Sequence, residues 1–76
     1  MQAFLIEKIE EISFEEVGVD DSLWESGVLD SITIVELAVE IEGEFNIEIP
    51  FDEIVVENFE TISRLMKYID LKQNSN

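Results

Sequence analysis

Hydrophobic positions return along the chain mostly at helical spacing. Leu5, Ile9 and Ile12 recur at intervals of four and three with Phe4 beside them, which predicts an amphipathic first helix over residues 3–17. Gly18, with Asp20, Asp21 and Ser22, breaks the pattern and opens a loop of turn formers that runs to Leu29. Within it Leu23, Trp24, Val28 and Leu29 are too apolar for a solvated loop and are expected to pin it to the core. Asp30 precedes a strongly periodic stretch over residues 31–42, and its carboxylate can accept orphan backbone N–H groups as an N-cap, so a second helix is predicted there. Phe45, Ile47 and Ile49 alternate with polar residues, but a lone strand has nothing to pair with. An extended connector is predicted instead, with Phe45 and Ile49 plugging the core. Pro50 suits the first turn of a short third helix over residues 51–56. Thr61 reads as the N-cap of a last helix with Ile62, Leu65, Met66 and Ile69 on one face. The expected fold is all-α, a small antiparallel-type bundle of three main helices plus one short helix. Residues 1–71 form its single domain, and residues 72–76, with no apolar anchor, form a flexible tail.

The second helix carries more apolar surface than one core needs. Ile34, Leu37, Ala38 and Ile41 make one stripe, while Ile32, Val35 and Val39 make another on a different side. A surface helix normally shows a single stripe, so the second is either extra core or an exposed docking strip. Glu36, Glu40 and Glu44 follow at successive spacings of four, with Glu42 near the helix end. Like charges at that spacing are mutually unfavourable, and acid near a C-terminus opposes the helix dipole, so helix stability does not explain the pattern. A basic partner does.

Charge extends that reading to the whole chain. Nineteen acidic residues face only four basic ones, Lys8, Arg64, Lys67 and Lys72, for a net charge of −15 over 76 residues. Such a field repels phosphate backbones and anionic lipid heads, so nucleic acid and membrane surfaces are poor partner candidates, with neither nucleic-acid binding nor membrane insertion expected, and basic protein surfaces are good ones. The 46% hydrophobic content and clear periodicity oppose a disordered acidic chain. Cysteine and histidine are both absent, which removes disulfides, thiolate chemistry and zinc sites built on those residues. No secretory signal is visible from Met1 to Lys8, and no apolar run has membrane-spanning length, so a soluble, cytoplasmic monomer is expected.

The stretch Leu29-Asp30-Ser31-Ile32-Thr33-Ile34-Val35-Glu36-Leu37 closely resembles the modification motif of acyl carrier proteins, whose usual form is Asp-Ser-Leu; here Ile32 stands for the Leu. The resemblance continues through Glu42-Gly43-Glu44-Phe45-Asn46-Ile47-Glu48-Ile49-Pro50 and on to Thr61-Ile62 and Tyr68-Ile69. It implies that a phosphopantetheinyl transferase attaches 4′-phosphopantetheine from coenzyme A to Ser31 with help from Asp30, and that the arm's thiol carries an acyl or aminoacyl group as a thioester. Ile32, Val35, Glu36, Val39 and Glu42 then map onto the face read by partner enzymes, namely the loading ligase and the downstream acyltransferase or synthase with basic docking patches. The run Leu23-Trp24-Glu25-Ser26-Gly27-Val28-Leu29-Asp30-Ser31, with Asn58-Phe59 ahead of Thr61, is similar to discrete carriers such as D-alanyl carrier proteins and stand-alone polyketide or peptide carriers. A role in lipid or secondary-metabolite biosynthesis is implied. The chemistry agrees, because a helix start offers unpaired N–H groups and partial positive charge to a phosphodiester at Ser31. With no histidine to act as base, Ser31 is no unaided nucleophile, and the chain is expected to be non-catalytic.

One alternative is a cofactor-free acidic interaction module, which explains the charge but leaves Ser31 without a role. A calcium loop fails because Asp20, Ser22 and Trp24 break the alternation of oxygen ligands. Paired carboxylates such as Asp20 and Asp21 read as turn residues rather than a catalytic pair.

Overall fold

A computed structural model of the protein describes residues 1–74. In chain order the helices are α1 (Gln2–Ser13), α2 (Thr33–Phe45), a 3-10 turn (Phe51–Glu53), a short α3 (Val56–Phe59) and α4 (Ile62–Asn74). The described residues contain no strand. This is the expected all-α bundle of three main helices with short helical structure between the last two.

Helices α1 and α2 run antiparallel. Phe4 near the start of α1 meets Phe45 at the end of α2 edge to face, with ring centroids 5.5 Å apart. One turn on, Lys8 reaches Glu40 at 3.7 Å. Helix α1 also packs on α4, and α4 on α3. The core gathers Leu5 and Ile9 from α1, Leu37 and Ile41 from α2, Phe59 from α3, and Ile62, Leu65 and Ile69 from α4, all fully buried. Burial of these stripes is the main favourable contribution in a domain this small.

The long loop between α1 and α2 is held as its apolar residues suggested. Leu23, Val28 and Leu29 are buried and Trp24 is half-buried. Its backbone is stapled to the far side of the bundle, with the Leu23 N–H donating to the Glu60 carbonyl at 2.8 Å and the Ser63 N–H donating to the Val19 carbonyl at 3.1 Å. Gly27 has φ 80°, a left-handed position that lets the chain turn back so that the Leu29 N–H meets the Leu23 carbonyl.

Four elements differ in their bounds from the sequence expectation. Helix α1 ends at Ser13 rather than near Val17. Phe14 adopts a left-handed φ of 61° and closes the helix by donating its N–H to the Glu10 carbonyl at 2.7 Å. Gly18 instead donates its N–H to Asp21 Oδ2 in a tight turn. Helix α2 starts two residues later than expected and runs past Gly43 to Phe45, where Asn46 supplies the left-handed cap, so Phe45 packs from the helix and not from the connector. The predicted third helix is instead a 3-10 turn, separated from α3 by Ile54 and Val55. Finally, α4 continues to Asn74, so residues 72–74 of the expected tail are helical. Lys72 is tied to Glu53 Oε1 at 3.0 Å. The remainder of that tail lies outside the described residues.

Candidate functional site

Ser31 sits exposed in the turn that enters α2. Asp30 builds this turn. Its Oδ1 accepts the N–H groups of Ile32 and Thr33, each at 2.9 Å. Thr33 Oγ1 completes the exchange, accepting the Asp30 N–H at 2.8 Å and lying 3.1 Å from Asp30 Oδ1. The Asp30 carbonyl receives the Ile34 N–H at 3.0 Å, so the helical ladder starts on Asp30 itself. The backbone hydrogen bond from Thr33, then the one from Ile32, stabilises the ionised carboxylate and holds the Asp30 carboxyl below its ordinary value. Asp30 is thus a cap, as expected, but two of the N–H groups foreseen as unpaired at Ser31 are already satisfied by it. Thr33 was not singled out from the sequence; three residues after the capping Asp30 it stands where a capping box has Glu or Gln, and its hydroxyl does the same reciprocal work.

The two stripes of α2 separate cleanly. Ile34, Leu37, Ala38 and Ile41 are buried. Ile32, Val35 and Val39 are 69%, 41% and 60% exposed, which decides against extra core. Glu36 is exposed alongside them. Glu42 behaves differently from the other four expected partner-face residues: its Oε2 accepts the Ile49 N–H at 2.8 Å, so this carboxylate anchors the connector to α2. A shallow hollow of about 340 Å³ opens between the helices, lined by Ile12, Val35 and Val39 with Glu36 and Glu40. Ile12, part of the apolar stripe that predicted the first helix, lies half-buried at this edge.

A helical bundle that presents a serine on a capped turn, at the head of a helix with an apolar and acidic outer face, has the form of a carrier domain. The family model described as "Phosphopantetheine attachment site" matches residues 4–69. The chain is similar to the D-alanyl carrier protein of Streptococcus sanguinis (strain SK36), at 35% identity over 77 residues, covering 99% of this chain and 98% of that protein. It is likewise similar to the D-alanyl carrier protein of Streptococcus pyogenes serotype M1, at 33% identity over 73 residues, 93% of this chain and 92% of that one. The chain therefore belongs to the phosphopantetheine-attachment family of carrier proteins. It is a non-catalytic carrier of a covalent 4′-phosphopantetheine group, modified by transferases and loaded by ligases. Among the described residues no helix is long and apolar enough to cross a membrane.

Proposed function

We propose that Ser31 bears the 4′-phosphopantetheine arm and that the protein carries a small aminoacyl group, D-alanine in the first instance, as a thioester on that arm. The observation that carries the attachment reading is the exposed hydroxyl of Ser31 on a turn locked by Asp30 and Thr33 at the positive end of α2. Ser31 Oγ forms the new bond to phosphorus while the adenosine bisphosphate portion of coenzyme A departs, and the hydroxyl proton passes to a base of the transferase, since the chain has no histidine. The arm's thiol then supplies a thioester that keeps the cargo's carboxyl group activated for transfer. Asp30 holds the serine-bearing turn in place, and Ile32, Val35, Glu36 and Val39 form the face that partner enzymes read. Whole-chain similarity to two D-alanyl carrier proteins supports the choice of cargo. Modification and loading then take place in the cytoplasm, where coenzyme A and ATP are available.

Intact-mass measurement after incubation with coenzyme A, magnesium and a broad-specificity phosphopantetheinyl transferase tests the attachment. One phosphopantetheine is gained by the wild-type chain and none by Ser31→Ala. Adding ATP, D-alanine and a D-alanine-activating ligase then adds one alanyl group, removable by hydroxylamine. Arm attachment without alanyl gain under any ligase would retain the carrier and overturn the cargo.

A further inference from the structure

The turn that presents Ser31 is tied on both sides of the serine. The N–H groups of Asp30, Ile32, Thr33 and Ile34 all have partners within it. Ser31 is the exception: among the described residues neither its N–H nor its hydroxyl has one. Most of the ties pass through Thr33. Its Oγ1 accepts the Asp30 N–H at 2.8 Å and lies 3.1 Å from Asp30 Oδ1 and 3.5 Å from the Val28 carbonyl. A hydroxyl carries one proton, and the shorter contact directs it to Oδ1. Thr33 therefore holds Asp30 by its backbone and by its carboxylate, and that carboxylate holds the Ile32 N–H just beyond the serine. The hydroxyl itself is steady, because Thr33 is β-branched and half-buried beside the exposed Asp30, Ser31 and Ile32. The ties span Ser31 without using it, which fixes its backbone and leaves its Oγ open to approach.

We propose that Thr33 is a positioning residue for arm attachment: through Asp30 it holds the Ser31 backbone so that Oγ meets phosphorus with little to reorganise. The proposal rests on the Ser31 reading above and extends it to a residue within α2. In the step itself Ser31 Oγ bonds to phosphorus, the bond from phosphorus to the adenosine bisphosphate oxygen breaks, and the hydroxyl proton passes to a base of the transferase. Thr33 enters none of these bonds. Its effect is on the geometry of approach, where a displacement of ~1 Å can cost up to about a hundredfold in rate. Docking is a separate matter. The outer face of α2, Ile32 with Val35, Glu36 and Val39, takes no part in the Thr33 hydroxyl contacts, so loss of that hydroxyl acts on the chemical step and not on carrier binding.

Steady-state phosphopantetheine attachment, followed by intact mass over a range of concentrations of the unmodified protein, tests this role. Thr33→Val keeps the shape and removes the hydroxyl, so kcat falls about tenfold while KM for the carrier stays within about twofold of wild type. Thr33→Ser, which retains the hydroxyl, restores kcat. Thr61→Val removes the cap of α4, where Thr61 Oγ1 accepts the Arg64 N–H, and lowers the melting midpoint by a similar few degrees with kcat unchanged. That comparison separates positioning from stability, since partial unfolding dilutes the folded carrier and raises the apparent KM without lowering kcat at saturation. Amide hydrogen exchange reads the contact directly: the Asp30 N–H loses protection in Thr33→Val and keeps it in Thr33→Ser. Wild-type kcat or wild-type Asp30 protection in Thr33→Val, an equal fall of kcat in Thr61→Val, or no recovery in Thr33→Ser would each overturn the positioning role and leave the carrier reading intact. No gain of phosphopantetheine by the wild-type protein would instead overturn the Ser31 reading, and this proposal with it.

Discussion

Asp30 does two separable things at the entrance to α2. Its Oδ1 satisfies two backbone N–H groups, and its charge sits beside the serine proposed to receive a phosphodiester. Asparagine caps a helix about as well as aspartate, whereas alanine cannot cap at all. Asp30→Asn therefore keeps the melting midpoint close to wild type, and Asp30→Ala lowers it by a few degrees. If the negative charge itself assists modification, both variants slow phosphopantetheine transfer. If only the rigid turn matters, Asp30→Asn modifies normally. Thermal melts combined with timed intact-mass measurements separate the two. Stability contributed by the cap has a definite pH sign: the carboxyl is held below its ordinary value in the fold, so the contribution is present above the unfolded value and fades as pH falls through the folded one.

The element between α2 and α4 is fixed by contacts distant in sequence. Tyr68, whose ring is buried against Phe59, donates its hydroxyl proton to Glu53 Oε1 at 2.5 Å. Lys72 reaches the same oxygen, and Asn58 Nδ2 donates to the Glu53 carbonyl at 2.9 Å. Burial, followed by the Glu53 hydrogen bond, holds the Tyr68 phenol above its ordinary value of 10.0, so its contribution is complete below that value and is lost as pH rises through the folded one. Tyr68→Phe is expected to melt lower at neutral pH and to lack this alkaline loss, as urea midpoints at about pH 9 and about pH 11 would report. Equal alkaline loss in the two proteins would assign the effect elsewhere. Such long-range ties also explain which elements were legible in the sequence. The buried stripe of α2, its exposed counterpart, the Asp30 cap and the Thr61 cap, whose Oγ1 accepts the Arg64 N–H, are written in local period and spacing. The break between the 3-10 turn and α3 depends on Glu53 being held from α4. The inward turn of Glu42 depends on the Ile49 N–H, and the helical state of residues 72–74 on the Lys72 contact. Gly18 was misleading because a glycine after an apolar run resembles a helix stop, yet the chain spends it on the Asp21 turn and ends α1 on Phe14.

At the scale of the whole molecule, charge and fold oppose each other. Lys8 pairs with Glu11 and Glu40, and Lys72 pairs with Glu53, but four basic residues cannot offset 19 acidic ones on a small body. Among the described residues no cluster of three or more acidic side chains is placed to hold a metal ion. Compaction raises self-repulsion, and screening lowers it, with a Debye length of about 8 Å near 0.15 M salt. The melting midpoint is therefore expected to rise with sodium chloride and, at equal ionic strength, further with magnesium, because a divalent ion is attracted more strongly to the negative surface. Mild acid works in the same direction by reducing net charge. It cannot do so indefinitely: Asp30 and Glu53 both have carboxyls held below their ordinary values, by the Thr33 backbone and by the Tyr68 hydroxyl in turn, so stronger acid removes their contributions. Stability against pH should pass through a maximum in the mildly acidic range, at about pH 5 to 6, and fall on either side. Asp30→Asn blunts the acid limb of that curve without moving the limb above the maximum, since the cap no longer titrates while the global charge barely changes. Differential scanning calorimetry across that range at fixed ionic strength measures both limbs. A midpoint indifferent to salt and magnesium, with no maximum, would show that self-repulsion does not limit this fold.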